Sequence, residues 1–89
     1  MAYALFQADS VTDAIKVLAK KDPVLLKQLG KKLEKLLEDP YGAGKWMHGA
    51  YAGVREVHLL GKRFVLFYTI DDVKRVVNLV KFEHHPEKY

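Results

Sequence analysis

Gly53-Val54-Arg55-Glu56-Val57-His58-Leu59-Leu60 runs through Gly61-Lys62 into Arg63-Phe64-Val65-Leu66-Phe67-Tyr68-Thr69-Ile70, and the reading of this stretch decides the fold. Both halves are rich in β-branched and aromatic residues and are parted by a short glycine turn. They therefore read as strands over 54–60 and 63–70. A third strand, over 76–82, follows the polar turn Asp71-Asp72-Val73-Lys74-Arg75. If Gly61-Lys62 is a two-residue hairpin loop, Leu60 opposes Arg63, His58 opposes Val65 and Glu56 opposes Phe67. Alternation then puts Val57, Leu59, Phe64, Leu66, Tyr68 and Ile70 on one face, as a layer for a core. Glu56, His58 and Arg63 share the other face, an acid, an imidazole and a guanidinium projecting together. In the third strand Val76, Val77, Leu79 and Val80 fit either face, so the face taken by Lys81 stays open.

Upstream the hydrophobic period is 3.6 instead of 2. After a short apolar segment, Ala2 to Gln7, Ser10 can cap a helix with Asp13 as its capping-box acid. Val11, Ala14, Ile15 and Leu18 then recur at helical spacing. Asp22-Pro23 marks a second start, with Asp as cap and Pro in the first turn. Leu26, Leu29, Leu33, Leu36 and Leu37 make its apolar stripe, and Lys27, Lys31 and Lys35 line another face. Gly30 interrupts this helix, at a close approach of the two helices or at an indifferent surface position. Asp39-Pro40-Tyr41-Gly42-Ala43-Gly44 ends it. The expected fold is α+β: a short N-terminal strand, an antiparallel helix hairpin, then an antiparallel β-meander (β-α-α-β-β-β) with the helices on one face of the sheet.

Eighty-nine residues make one domain, 1–89, because so short a chain cannot bury two cores. At 49% hydrophobic and 29% charged it can fold without a disulfide or a structural metal. The lack of cysteine fits a reducing compartment, and no segment approaches the roughly 20 apolar residues of a membrane span. The reading is a soluble, cytoplasmic protein with no membrane partner. The net charge is +4, and residues 40–89 carry eight basic residues, five acids and all four histidines, His48, His58, His84 and His85. A basic bias of this kind attracts polyanions.

Several residues have plain readings. Arg55 falls on the core side and is expected to reach the sheet rim and pair with a helix acid. Trp46 and Tyr51 can stack on bases, although a lone Trp more often closes a core. His84 is out of phase with His85 and reads as structural. A zinc site from His58, His84 and His85 lacks a recognisable spacing, so no metal and no cofactor is expected.

The order strand, helix hairpin, three-strand meander, with Gly-Val-Arg-Glu-Val-His, a Leu-Phe-Tyr-Thr-Ile strand and a terminal His-Xaa-Xaa-Xaa-Tyr, resembles the RelE/ParE toxin superfamily of type II toxin–antitoxin systems. The likeness spans essentially the whole chain and is nearest to the YafQ-like branch. It implies an endoribonuclease that cuts mRNA on the ribosome and is neutralised by a cognate antitoxin, with which a heterotetramer can form. Carried over by position, His58 matches the motif histidine of the middle strand, His85 the histidine near the C-terminus, and Tyr89 the terminal aromatic. Arg63 lies at or beside a position where that branch has an acid. Lys45 lies nearer than His48 to the place of its loop histidine. Val65 stands where RelE-type members have a hairpin arginine.

Metal-free RNA cleavage needs a base for the 2′-hydroxyl, a cation for the phosphorane and an acid for the 5′-oxygen. Histidine suits both proton transfers because its unperturbed pKa is near 6.5. His58 and His85 are therefore the expected acid–base pair, Arg63 the phosphate clasp, and Tyr89 a stacking or hydrogen-bonding group. Glu56, Lys45 and Lys81 are supporting candidates. Two other functions fit the same fold: a ParE-like gyrase inhibitor and a non-catalytic binding module.

Overall fold

A computed structural model describes residues 2–46, 53–61 and 63–84. Among them the elements are β1 (Ala4–Gln7), α1 (Asp9–Ala19), α2 (Pro23–Glu38), α3 (Pro40–Ala43), β2 (Lys45–Trp46), β3 (Arg55–Leu59), β4 (Phe64–Asp71) and β5 (Val76–His84). The strands form one sheet in the order β1-β5-β4-β3-β2. β2, β3, β4 and β5 pair antiparallel in sequence order, while β1 lies parallel to β5 at the far edge. The α+β order read from the sequence is therefore the one observed, with a single-turn α3 and a two-residue β2 added between α2 and β3.

The helix starts differ instructively. α1 begins at Asp9, before Ser10, and its N-cap is Ala8 in an extended conformation with no side-chain cap. The residue before the helix is instead tied to the sheet. The Ala8 amide donates to the Leu79 carbonyl at 3.3 Å, while its own carbonyl accepts from the amides of Val11 and Thr12 at 3.0 Å each. α2 starts as expected: the Asp22 carboxylate accepts from the Leu25 amide at 3.0 Å and Pro23 opens the first turn.

Packing sorts the leucines of α2. Leu25, Leu29 and Leu36 are buried, Leu33 and Leu37 pack beside them, and Leu26 is 52% exposed. The stripe expected through Leu26 is carried at that turn by Leu25, about 100° round the helix from Leu26. These side chains and Val11 of α1 meet Val57 and Leu59 of β3, Phe64, Leu66 and Tyr68 of β4, and Val77, Leu79 and Phe82 of β5. No helix among the described residues is long and apolar enough to cross a membrane.

A Cβ added at Gly30 would meet nothing within 4 Å, so the residue marks no close approach of the helices. Gly30→Ala is expected to raise stability by about 0.5–1 kcal/mol, read as a higher urea midpoint, because it removes only the conformational cost of glycine in a helix.

At the end of α2, Asp39 links two elements. Its amide donates to the Lys35 carbonyl at 2.9 Å, closing α2, and its carboxylate accepts from the Gly42 amide at 3.1 Å, capping α3. The short helix then delivers the Pro40 carbonyl to the hydroxyl of fully buried Tyr68, which donates to it at 2.7 Å. Burial raises the pKa of that hydroxyl above 10.0. The chain passes so close to Tyr68 at Gly44 that a Cβ there would lie 2.7 Å from the Glu56 carbonyl oxygen, 2.9 Å from Tyr68 Cε1 and nearer still to the Tyr68 hydroxyl.

Candidate active site on the outer face of the sheet

The face of the sheet turned away from the helices carries the polar side chains, and its layout follows from strand register. β3 and β4 pair Glu56 with Phe67, Val57 with Leu66 and His58 with Val65, as the hairpin reading requires. Directly opposed residues share a face. Lys45 opposes Glu56, Glu56 opposes Phe67 and Phe67 opposes Lys81, so these four form one row across β2, β3, β4 and β5. A second row holds His58, Val65 and Glu83. Glu56, His58 and Phe67 are half-buried, and Lys45 and Lys81 are exposed. Lys81 Nζ lies 3.7 Å from Glu83 Oε2.

The face taken by Lys81, which alternation alone left open, is decided by a β-bulge. Tyr68 pairs with Leu79 but Phe67 pairs with Lys81, which leaves Val80 as an extra residue on β5. Val77 and Leu79 point inward before the bulge and Phe82 after it. Without the extra residue Lys81 would follow Leu79 into the core. The bulge shifts the phase by one and aims the ammonium outward.

β4 begins at Phe64, so Arg63 lies in the turn before the strand, exposed, at the hairpin end of the outer face. Its amide donates to the Leu60 carbonyl at 3.4 Å. Leu60 and Gly61 both have positive φ, 50° and 71°. The Leu60 amide donates to Gln28 Oε1 at 3.1 Å, tying the hairpin to α2. His84 stacks on Phe64 with centroids 4.6 Å apart, and Phe64 stacks on Phe82. His84 therefore belongs to the helix-side face, as its structural reading requires. His85, Tyr89, His48 and Tyr51 lie outside the described residues.

Arg55 points to the helix side at the rim, but its partners are not a helix acid. Nη1 donates to the Tyr41 carbonyl at 3.1 Å, and the guanidinium lies 5.0 Å from the ring centroids of both Tyr41 and Trp46. Its strand partner is Trp46 and α3 supplies Tyr41, so two rings and a carbonyl occupy the space around it. Trp46 is 49% exposed and closes no core.

Beside this group the Asp72 carboxylate accepts hydrogen bonds from the hydroxyls of Tyr3, at 2.8 Å, and Tyr41. The Arg75 guanidinium lies 4.4 Å from the Tyr3 ring centroid. The Tyr41 and Tyr3 hydrogen bonds hold the Asp72 pKa below 3.8, with a smaller contribution from Arg75. The same bonds raise both tyrosines above 10.0. The depressed carboxyl contributes stability that is complete above its unfolded pKa and is lost as pH falls through the folded one. The raised tyrosines contribute stability that is complete below about 10 and is lost as pH rises through their folded values. In urea titrations the midpoint gap between wild type and Asp72→Asn is accordingly expected to hold between about pH 5 and 9 and to close at both extremes.

Three comparisons bear on identity. No protein-family model matches the chain. A Methanocaldococcus jannaschii protein designated toxin RelE4 is 31% identical over 80 residues, which is 90% of this chain and 83% of that protein. The isolated RelE toxin of E. coli superposes with a TM-score of 0.79 at 24% identity, over 98% of this chain and 88% of that one. The RelBE2 toxin–antitoxin complex of Mycobacterium tuberculosis contains a chain that matches with a TM-score of 0.80 at 20% identity, over 96% of this chain and 100% of that one. The structural matches show the shared fold, the sequence match extends over nine-tenths of the residues, and the chain belongs to the RelE/ParE toxin superfamily.

Proposed function

We propose that this toxin is an endoribonuclease of a type II toxin–antitoxin pair that cuts mRNA on the ribosome without a metal. The observation that carries the proposal is the grouping of Glu56, His58 and Lys81 on the open face of the sheet, with Arg63 at its hairpin end, in a member of this superfamily. In the proposed reaction one of His58 and His85 takes the proton of a 2′-hydroxyl. The freed oxygen attacks the adjacent phosphorus, forming a 2′,3′-cyclic phosphate as the bond to the 5′-oxygen breaks. The other histidine gives that oxygen its proton, so each turnover moves one proton on and one off. Arg63 holds the non-bridging oxygens as charge builds on them, and Tyr89 stacks on a base or donates a hydrogen bond. Glu56, Lys45 and Lys81 are supporting groups on the same face.

The cognate antitoxin is proposed to cover this face. That an antitoxin is the partner is supported by the matching chains of the E. coli RelBE and M. tuberculosis RelBE2 toxin–antitoxin complexes. The test is induced expression of the wild type and of the His58→Ala/His85→Ala double variant, with primer extension on a translated reporter mRNA. New 5′ ends that vanish with the double variant support the reading. Growth arrest with intact mRNA overturns it.

A further inference from the structure

The helix-side core accounts for Phe64, Leu66 and Tyr68 of β4 but not for Phe67, which points the other way and takes no part in the Phe64, Phe82 and His84 stack. β4 is the middle strand of the sheet and is apolar on both faces. Val65, also outward, is only 2% exposed, whereas Phe67 is half-buried. A phenyl ring left partly open among charged neighbours costs stability unless something covers it.

Its neighbours narrow what that cover can be. Glu56 and Lys81 flank Phe67 directly on adjacent strands, so their backbones stand roughly 10 Å apart with that of Phe67 midway between them. His58 lies two residues along from Glu56 on the same face. An apolar peptide laid over the ring would strip water from Glu56 and from the Lys81–Glu83 ion pair and supply no polar group in exchange. A nucleobase has a flat π-face for the ring and, at its edges, amino donors for a carboxylate and carbonyl or ring-nitrogen acceptors for an ammonium.

Resting on the ribonuclease reading, we infer that Phe67 is the stacking platform for one nucleobase of the RNA, with Glu56 and Lys81 addressing opposite edges of that base. Phe67 is thus a positioning residue: it holds the strand in register with His58 and takes no proton itself.

The probe is a 2′-O-methyl oligoribonucleotide containing 2-aminopurine, whose fluorescence is quenched on stacking. It is titrated with the wild type, Phe67→Leu and Phe67→Trp, and cleavage kinetics on programmed ribosomes are followed in parallel. Phe67→Leu is expected to weaken binding and raise KM by roughly 5- to 150-fold with kcat retained. Phe67→Trp is expected to keep the quench and a near-wild-type KM, which answers for any folding defect in the leucine variant. Wild-type KM and quench in Phe67→Leu, with an active wild type, overturn the platform alone. A wild type that neither binds nor cleaves RNA overturns the ribonuclease reading and this inference together. Loss of antitoxin binding in Phe67→Leu with RNA behaviour intact makes the ring a protein contact and also overturns it.

Discussion

Exchange of His58 for alanine is expected to slow mRNA cleavage by about 10²- to 10⁴-fold, the range for removing one general acid or base, with the thermal midpoint nearly unchanged. The fold should survive because His58 is half-buried on the outer face and supplies nothing to the helix-side core. His85→Ala is expected to fall in the same range. Since the proposed reaction has one group remove a proton and the other return one in a single displacement, the double variant should lose less than the product of the two single losses. Single-turnover cleavage on programmed ribosomes separates these cases. Wild-type rates in both single variants would remove the histidine pair from the mechanism.

The second large effect is on stability. Gly44→Ala is expected to cost about 1–3 kcal/mol, as overpacking against rigid neighbours does, measured by urea unfolding. Gly44 has φ −132° and ψ 176°, an extended conformation open to any residue, so the demand is for space. The added methyl would press on the Glu56 carbonyl of β3 and on the ring and hydroxyl of fully buried Tyr68. None of these is the free end of a flexible side chain. Adding Tyr68→Phe should recover part of the loss by removing the hydroxyl, with Tyr68 Cε1 still at 2.9 Å to keep recovery incomplete. Because the two residues touch, a double-mutant cycle should show coupling of about 0.5–3 kcal/mol. Tyr68→Phe alone is expected to destabilise, since it leaves the Pro40 carbonyl without its donor.

Much of this fold could be read from local pattern. The glycine turn at Gly61 set the register of Glu56 against Phe67 and His58 against Val65, and the Asp22-Pro23 cap fixed the start of α2. What escaped had no period to read. A one-turn α3 and a two-residue β2 are too short to show one, and the Val80 bulge breaks alternation at the point where the face of Lys81 is decided. Ser10 looked like a cap, but α1 begins one residue earlier, behind an Ala8 whose amide is bonded to Leu79, some 70 residues away along the chain. The same limit hid Arg55, whose companions Tyr41 and Trp46 are assembled by folding and not by spacing. Phe67 was visible as part of an apolar run. Its pairing with Glu56 followed from the hairpin reading, and its other neighbour, Lys81, came only with the bulge in β5.

The parallel pairing of β1 with β5 has a consequence for the order of events during synthesis. Ala4, Leu5, Phe6 and Gln7 find their partners in Val76, Val77, Asn78 and Leu79, the α1 start is tied to Leu79, and β5 supplies Val77, Leu79 and Phe82 to the core. A nascent chain that has yet to release β5 from the exit tunnel holds helices with no central layer to pack on and an edge strand with no neighbour. The sheet, and with it the face bearing Glu56, His58 and Lys81, can close only after β5 has emerged.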